Sequence, residues 1–345
     1  MQIDKLLFDI LSVQSASYHE ERMIFFITEH CKENGYNVTV NQNNVYVTKG
    51  DATMYPCYVA HTDTCASILP DNQFKVVSVG DDNLMGYNYI KNDFTQVGFD
   101  DKIGIYIALK MLLEIPYGKA FFPHAEEVGC VGTAKALMEF FDDCQYLIQC
   151  DRRNSKGIVQ SVYGTPLFGE DFKQVLTELG KPYERTLTTG MLTDVYTLKN
   201  KGLKVACTNL ECGYYNPHRD DDYCSINEVM ATFNFVKDIY TNSEGIVFHH
   251  EYVKPVYNYP AYPTYPRYNR TGPAKTILDY EDWYADYVIN DPDDPSKEKN
   301  KLIDFCEACY MEENLERHNK TGLFLCSHCL KTYGNYFSGY TDVAN

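Results

Sequence analysis

The sequence is short of basic residues and has no long apolar run. Lys and Arg together number 31 against 48 Asp and Glu, which gives a formal net charge of -17. Phosphate contacts need a basic face, so this deficit argues against a nucleic-acid partner. No stretch approaches the roughly 20 apolar residues of a membrane span, so we expect no membrane partner. The N-terminal segment lacks the basic start and apolar run of a secretory signal, and we expect a cytoplasmic protein.

Residues 1–245 alternate between helix-type and strand-type patterns, which predicts a single α/β domain. Helices are predicted at 17–33, beginning with a capping box at 17–20, and at 102–115, 129–141 and 226–240. Strands are predicted at 37–40, 45–48, 56–60, 120–122, 146–150 and 204–210. Residues with metal-ligand chemistry follow several of these strands, and ligands bind at the carboxyl ends of strands in open α/β sheets.

Two groups of such residues lie in the first third of the chain. His61 and Asp63 follow a predicted strand, and a carboxylate commonly holds the second ring nitrogen of a ligating imidazole. Asp100 and Asp101 begin a predicted buried helix, where a rigid backbone suits a carboxylate that bridges two metals. Taken singly, a polar strand end and acids in a first helical turn also fit ordinary structural roles.

Further along the chain, Glu126 and Glu127 follow another predicted strand. One glutamate of such a pair can ligate a metal while the other acts as a general base, although an exposed acidic pair is also common. Asp151 ends an apolar strand, and His218 lies in a turn-prone Asn-Pro-His segment. The neighbouring acids at 220–222 are expected to be solvated or to contact substrate.

These residues lie in motifs that resemble those of the co-catalytic zinc exopeptidases, the superfamily that includes peptidase T, related aminopeptidases and carboxypeptidases, and N-acyl amino acid deacylases. The resemblance covers about residues 1–240, through LLFDILSVQSASYHEERMIFFI near the N-terminus, AHTDTC at 60–65, GFDDKIG at 98–104, AEEVGCVGTA at 125–134, Asp151 and YYNPHRDDDYCSINEV at 214–229. It implies a three-layer α/β/α domain with a mixed sheet. The gaps where relatives insert an extra domain are short here, so we expect a catalytic domain at 1–245 without a lid insertion.

The resemblance also implies a role for each residue. Two catalytic zinc ions, with cobalt or manganese as alternatives, would be bound by His61, Asp100, Glu127, Asp151 and His218. Asp63 would orient His61, and Glu126 would be the general base in amide hydrolysis. Asp194 ends a Gly-Met-Leu-Thr-Asp loop that resembles a substrate-binding loop of aminopeptidases, and a structural helix-cap role for Thr193-Asp194 fits equally well.

Four cysteines near the C-terminus form a separate pattern. Cys306-x-x-Cys309 and Cys326-x-x-Cys329 have the spacing of a tetrahedral site, which predicts a small zinc ribbon with one structural zinc at 301–338. The Tyr- and Pro-rich, then acidic, segment at 246–300 predicts an extended linker. We expect the ribbon to contact a protein partner or to stabilise the chain. The other nine cysteines are scattered and are expected to be reduced and buried.

Together these patterns predict a zinc-dependent metallopeptidase, most simply an aminopeptidase that hydrolyses short peptides. An N-acyl amino acid deacylase or another amidohydrolase on the same domain is the first alternative, because the discriminating side chains lie in loops. A catalytically silent binding protein that works through the zinc ribbon is the second alternative. The complete ligand set and the presence of Glu126 argue against that second alternative.

Overall fold

The structure, a computed structural model, describes residues 4–252, 315–317 and 324–326. The chain divides into two units, Met1–Val253 and Lys254–Asn345. In the second unit the described strands Leu315–Arg317 and Phe324–Cys326 pair antiparallel, and the second strand ends at the first cysteine of the second predicted pair. The remainder of the predicted linker and ribbon, including Cys306, Cys309 and Cys329, lies outside the described residues.

The first unit contains alternating helices and strands, as the sequence predicts. The helices are α1 (Lys5–Ser12), α2 (Glu21–Glu33), α3 (Phe99–Glu114), α4 (Val131–Ala134), α5 (Glu170–Gly180), α6 (Asp194–Asn200) and α7 (Ile226–Asn242), with 3-10 helices at Met138–Phe141 and Lys181–Tyr183. The strands are β1 (Asn37–Asn41), β2 (Asn44–Lys49), β3 (Tyr55–Val59), β4 (Phe74–Val79), β5 (Asn83–Asn88), β6 (Asp93–Thr95), β7 (Gly118–Phe122), β8 (Cys144–Arg152), β9 (Gly157–Val162), β10 (Thr165–Pro166), β11 (Thr186–Gly190), β12 (Cys207–Glu211), β13 (Tyr214–Tyr215) and β14 (Tyr223–Ser225).

A nine-stranded mixed sheet forms the centre of this unit, in the order β1-β2-β7-β3-β8-β12-β9-β10, with β11 beside β9. Strands β7, β3, β8 and β12 run parallel to one another, whereas β2 and β9 are antiparallel to their neighbours in this group. Every residue of β3 and β7 is buried. Parallel strands covered on both faces read as continuous apolar runs, so the sequence predicted these two strands well.

Helix α3 packs against this sheet and carries the central candidate ligand at its start. It contacts β3, β7 and β8 as well as α1 and α7, and twelve of its sixteen residues are buried. None of the helices in the described part of the chain combines the length and apolar character needed to span a bilayer. The mixed α/β fold expected from the sequence is therefore confirmed.

A second, five-stranded sheet was not predicted. Strands β4, β5 and β6 form an antiparallel meander at 74–95, and β14 pairs with β5 and with β13. Burial alternates along β5, the usual pattern of an antiparallel strand with one covered face. Tyr223 in β14 pairs with Met85 in β5, so this sheet joins the segment after His61 to the segment after His218.

Two local predictions were wrong. The capping box at 17–20 does not cap α2, because Ser17 Oγ donates its hydrogen bond to Asp63 and Glu20 accepts one from the Ala125 nitrogen. The helix predicted at 129–141 is broken into α4 and the 3-10 helix Met138–Phe141. Its middle is interrupted where the Leu137 nitrogen donates to the hydroxyl of Tyr46 instead of a helical carbonyl.

Candidate metal centre

The candidate ligands meet at one edge of the central sheet. Strand β3 is parallel to β7 and β8, so the residues that follow these three strands lie at the same edge. His61 follows β3, Glu127 follows β7, and Asp151 lies at the end of β8. Asp100 reaches this edge from the start of α3, and His218 reaches it from the turn between β13 and β14.

His61, Asp100 and Asp151 form a first cluster whose ligand atoms lie within 4.8 Å of one another. His61 Nε2 lies 3.2 Å from Asp100 Oδ1 and 3.6 Å from Asp151 Oδ1. On the other side of the ring, Nδ1 lies 2.9 Å from the backbone oxygen of Asp63 and 3.3 Å from its Oδ1. A proton on Nδ1, donated to the Asp63 backbone oxygen, would leave Nε2, the nitrogen that faces Asp100 and Asp151, as the ligand atom for a cation.

Asp100 also faces a second cluster. Its Oδ2 lies 3.4 Å from His218 Nε2, and the same nitrogen lies 2.9 Å from Glu127 Oε1. One carboxylate oxygen of Asp100 is therefore directed at each histidine. This is the arrangement expected of a carboxylate that bridges two cations.

Asp63 is fully buried and supports both sides of the site. Its Oδ2 accepts hydrogen bonds from Ser17 Oγ at 2.7 Å and from the Glu127 nitrogen at 3.2 Å, and its Oδ1 accepts one from the Glu126 nitrogen at 2.8 Å. Burial opposes ionisation of this group, but the hydrogen bonds and the His61 charge outweigh it and lower the pKa of Asp63. Asp63 is thus an ionised acceptor that fixes the His61 ring.

Asp151 is positioned by a frame of polar side chains. Its Oδ2 accepts hydrogen bonds from Gln149 Nε2 at 3.0 Å, Thr193 Oγ1 at 3.2 Å and Asn209 Nδ2 at 3.3 Å. Asn209 also accepts from the Asp151 backbone nitrogen at 3.0 Å. These contacts use one carboxylate oxygen and leave Oδ1 directed at His61.

Asp194 belongs to the same frame. It is fully buried, and it accepts hydrogen bonds from Thr133 Oγ1 at 2.5 Å and from Gln149 Nε2 at 3.0 Å. Gln149 donates to Asp151 as well, so Asp194 helps to position the candidate ligand Asp151 through Gln149. Its burial argues against the direct substrate contact that the sequence raised, and Thr193 is the residue at the N-cap of α6.

The concentration of carboxylates shifts the pKa values of the site. Burial, together with the charges of Asp151 and Asp100, raises the pKa of Glu126 well above its ordinary value. Burial and the Asp100 charge raise the pKa of Asp151 to about 8. Its close contacts with Asp100, Cys65 and Glu127 raise the pKa of His218 to about 12. All three shifts mean that this group of acids attracts positive charge, from protons or from cations.

The residues present fit a pair of divalent cations. Glu127 Oε1 is buried and accepts no hydrogen bond from any described residue, although His218 Nε2 lies 2.9 Å away. A buried acceptor normally has a partner, and a shared cation would supply it. Imidazole and carboxylate donors are common zinc ligands. His61, Asp100 and Asp151 would hold one cation, and Asp100, Glu127 and His218 the other.

Three site residues were missed or misread in the sequence. Cys65 is exposed, whereas the other eight cysteines of the first unit are buried as expected. Asp222 was expected to be solvated, but it is buried and accepts hydrogen bonds from the backbone nitrogens of Val97 and Gly98 just before α3. Glu20 is buried beside the Glu126 turn. For Cys65, its proximity to Asp63 in the sequence was the one signal that could have placed it at the site.

Comparison with known proteins identifies relatives by structure alone. No protein-family model matches the chain, and no curated protein matches its sequence. Aminopeptidase PepT from Bacillus cereus aligns with a TM-score of 0.55 and 15% identity, covering 68% of this chain and 95% of that chain. A tripeptidase from Staphylococcus aureus gives 0.55 and 12%, covering 68% and 95%. An aminopeptidase from the archaeon Desulfurococcus kamchatkensis gives 0.54 and 12%, covering 68% and 93%. The fold of this chain is thus that of aminopeptidase catalytic domains.

Proposed function

We propose that this protein is a metal-dependent aminopeptidase that hydrolyses short peptides. The observation that carries the proposal is the position of Asp100, which directs one carboxylate oxygen at His61 and the other at His218. That arrangement suits two cations that share a ligand. The structural neighbours include an aminopeptidase and a tripeptidase, which supports peptides as the substrate class.

Glu126 is the proposed general base. Two divalent cations at this site would acidify a water molecule and polarise the scissile carbonyl. The Glu126 carboxylate would accept the proton of the attacking water and then donate it to the nitrogen of the leaving amine. Its backbone nitrogen is held by Asp63, which keeps its position fixed relative to His61. The burial that raises the pKa of Glu126 makes it a stronger proton acceptor, as this role requires.

Hydrolysis of a mixed library of short peptides and N-acyl amino acids tests the proposal. The full chain, loaded with zinc or cobalt, would be compared with Glu126→Gln, which removes the base and preserves the shape of the side chain. General-base removal typically costs about 10²- to 10⁴-fold in rate. Glu139→Gln, an exposed glutamate in the following segment, is the matched control and should keep full activity.

The products decide between the candidate activities. Release of N-terminal residues, lost in Glu126→Gln and kept in Glu139→Gln, would establish an aminopeptidase. Release of acyl groups would replace the aminopeptidase assignment with a deacylase on the same site. Equal product formation by the intact chain and Glu126→Gln would refute the catalytic proposal.

We also propose that residues 301–338 form a zinc ribbon, joined by a linker at 246–300 to the catalytic domain at 1–245. The support is the cysteine spacing and the antiparallel pairing of Leu315–Arg317 with Phe324–Cys326. A ribbon of this kind binds one zinc through its four thiolates. The zinc content of the full chain should therefore fall by one ion per chain in Cys309→Ser. An unchanged zinc content would refute the ribbon.

A further inference from the structure

Cys65 lies beside the second cation position. Its sulfur, a ligand atom of Glu127 and a ring nitrogen of His218 lie within 4.8 Å of one another. This group is separate from the first cluster of His61, Asp100 and Asp151. Cys65 is exposed, so its thiol is accessible from the solvent side of the site.

The buried carboxylate of Glu127 provides an independent sign of a ligand at this place. Its side chain is only 8% exposed, yet Oε1 accepts no hydrogen bond from any part of the chain that the structure describes. His218 Nε2 approaches that oxygen to 2.9 Å without satisfying it. A cation shared by Glu127 Oε1 and His218 Nε2 would be a ligand partner for both atoms, and the Cys65 sulfur is the remaining ligand atom beside them.

The backbone next to Cys65 is rigid, which a metal ligand requires. The Thr64 nitrogen donates to the Ser15 oxygen at 2.7 Å, and the Thr64 oxygen accepts from the Ser17 nitrogen at 3.2 Å. The Thr64 side chain also packs against Gly98, where an added Cβ would lie 2.5 Å from Thr64 Cγ2. Cys65 is therefore fixed relative to the start of α3, where Asp100 lies.

We propose that the Cys65 thiolate is a ligand of the second cation, together with Glu127, His218 and Oδ2 of Asp100. The inference rests on the proposed two-metal site and adds a sulfur donor to it. As the sulfur–metal bond forms, the thiol proton is released to solvent. A mixed sulfur, nitrogen and oxygen set is typical of zinc, and a soft thiolate disfavours manganese. The second position is thereby selective for zinc.

Cobalt substitution gives a direct test. A thiolate bound to cobalt(II) produces a near-ultraviolet charge-transfer absorption that carboxylate and imidazole ligands do not produce. The full chain would be loaded with cobalt and compared with Cys65→Ser and with Cys31→Ala, which removes a buried thiol of the same unit. The C-terminal cysteines contribute the same absorption to all three proteins, so the difference spectra isolate Cys65.

We expect the absorption to decrease in Cys65→Ser and to remain unchanged in Cys31→Ala. Zinc affinity at the second position should fall in Cys65→Ser by at least the ~10–100-fold typical of losing an outer-shell partner. Cys65→Asp supplies a hard oxygen donor, so it should keep the metal content while shifting preference from zinc towards manganese. Identical spectra for the intact chain and Cys65→Ser would overturn the proposal.

Hydrolysis by the same preparations separates this inference from the proposed function. Peptide hydrolysis that depends on Glu126, without a Cys65-dependent absorption, would overturn the sulfur ligand and leave the peptidase intact. A Cys65-dependent absorption without hydrolysis would establish the sulfur ligand and refute the peptidase. Absence of cobalt from both positions of the catalytic domain would refute both.

Discussion

Asp63 Oδ1 accepts a hydrogen bond of 2.8 Å from the backbone nitrogen of Glu126. The same oxygen lies 3.3 Å from Nδ1 of His61. One buried carboxylate therefore connects the loop after β3 with the turn after β7, so the spacing between a candidate ligand and the candidate base depends on Asp63. The resemblance implies only that Asp63 orients His61. The hydrogen bond from the Glu126 nitrogen is a second contact, which that role does not include.

Asp63→Asn should weaken both the metal site and catalysis. The amide nitrogen of asparagine cannot accept the hydrogen bonds that Ser17 and the backbone of Glu127 donate to Oδ2. Metal affinity or activity should fall by about 10–100-fold, the usual cost of losing a partner of a ligating histidine. Zinc titration and peptide hydrolysis measure the two effects. Asp51→Asn, an exposed acid upstream of β3, should leave both unchanged, and an equal effect of the two substitutions would contradict this assignment.

Asp222→Ala should destabilise the start of α3. Asp222 accepts hydrogen bonds from the backbone nitrogens of Val97 and Gly98, so the substitution leaves buried donors without a partner. The free energy of unfolding should fall by roughly 2–4 kcal/mol, the combined cost of a lost helix cap and unsatisfied buried groups.

The neighbouring acid is the matched control for that variant. Asp221 is only partly buried, and its side chain pairs with Arg219 at the surface. Asp221→Ala should change the free energy of unfolding by about 0.5 kcal/mol or less, as is usual for surface substitutions. Denaturant titration of both variants measures the difference, and similar values would mean that Asp222 does not anchor α3.

Glu20→Gln should alter the dependence of stability on pH. Burial and the Asp63 charge raise the pKa of Glu20 from 4.5 to about 7 in the folded protein. As the pH rises between these two values, the unfolded state loses a proton that the folded state keeps, so this group lowers the free energy of unfolding. The full loss is roughly 3 kcal/mol at neutral pH and above.

The glutamine variant lacks that titration. Its amide oxygen can still accept the hydrogen bond from the Ala125 nitrogen, which Glu20 Oε1 accepts at 3.0 Å. Between about pH 4 and pH 8 the free energy of unfolding of Glu20→Gln should therefore decline less steeply than that of the parent chain. Parallel curves for the two proteins would show that Glu20 titrates normally.

The sequence predicted the parts of the fold that have a strong local signal. Strands β3 and β7 are buried on both faces, so they read as uninterrupted apolar runs, and α3 reads as an apolar helix for the same reason. The meander β4–β6 was missed because partly exposed strands mix polar and apolar residues. The motifs that resemble the co-catalytic zinc exopeptidases supplied the candidate ligands, and His61, Glu127 and Asp151 share one sheet edge because β3, β7 and β8 are parallel.

The contacts that support the site could not be predicted because they join distant parts of the chain. Ser17 and Glu20 have the spacing of a helix cap, yet both bind groups that lie more than forty residues away along the sequence. The same holds for Asp222 and its donors beside Gly98. Local spacing favoured a local partner for Ser17 and Glu20, and Asp222 was expected to be solvated or to contact substrate, but in the fold all three bind distant groups.

Asn209→Leu should lower the affinity of the first cation position while preserving the fold. Asn209 holds Asp151 at two points, since it donates to Oδ2 at 3.3 Å and accepts from the backbone nitrogen at 3.0 Å. Leucine has a similar size but offers neither contact, so Asp151 loses part of the frame that directs Oδ1 at His61. We expect zinc affinity to fall by about 10–100-fold.

Thr208→Val is the matched control for that experiment. Thr208 is buried beside Asn209 in β12, but its hydroxyl donates to the Val159 oxygen in the sheet at 3.0 Å and to none of the candidate ligands. Its loss should therefore cost stability, about 1 kcal/mol for one hydrogen bond, without changing zinc affinity. Zinc titration at a fixed pH, paired with denaturant unfolding, separates the two effects. An equal loss of zinc affinity in both variants would mean that β12 supports the site through packing. The hydrogen bonds between Asn209 and Asp151 would then not determine the affinity.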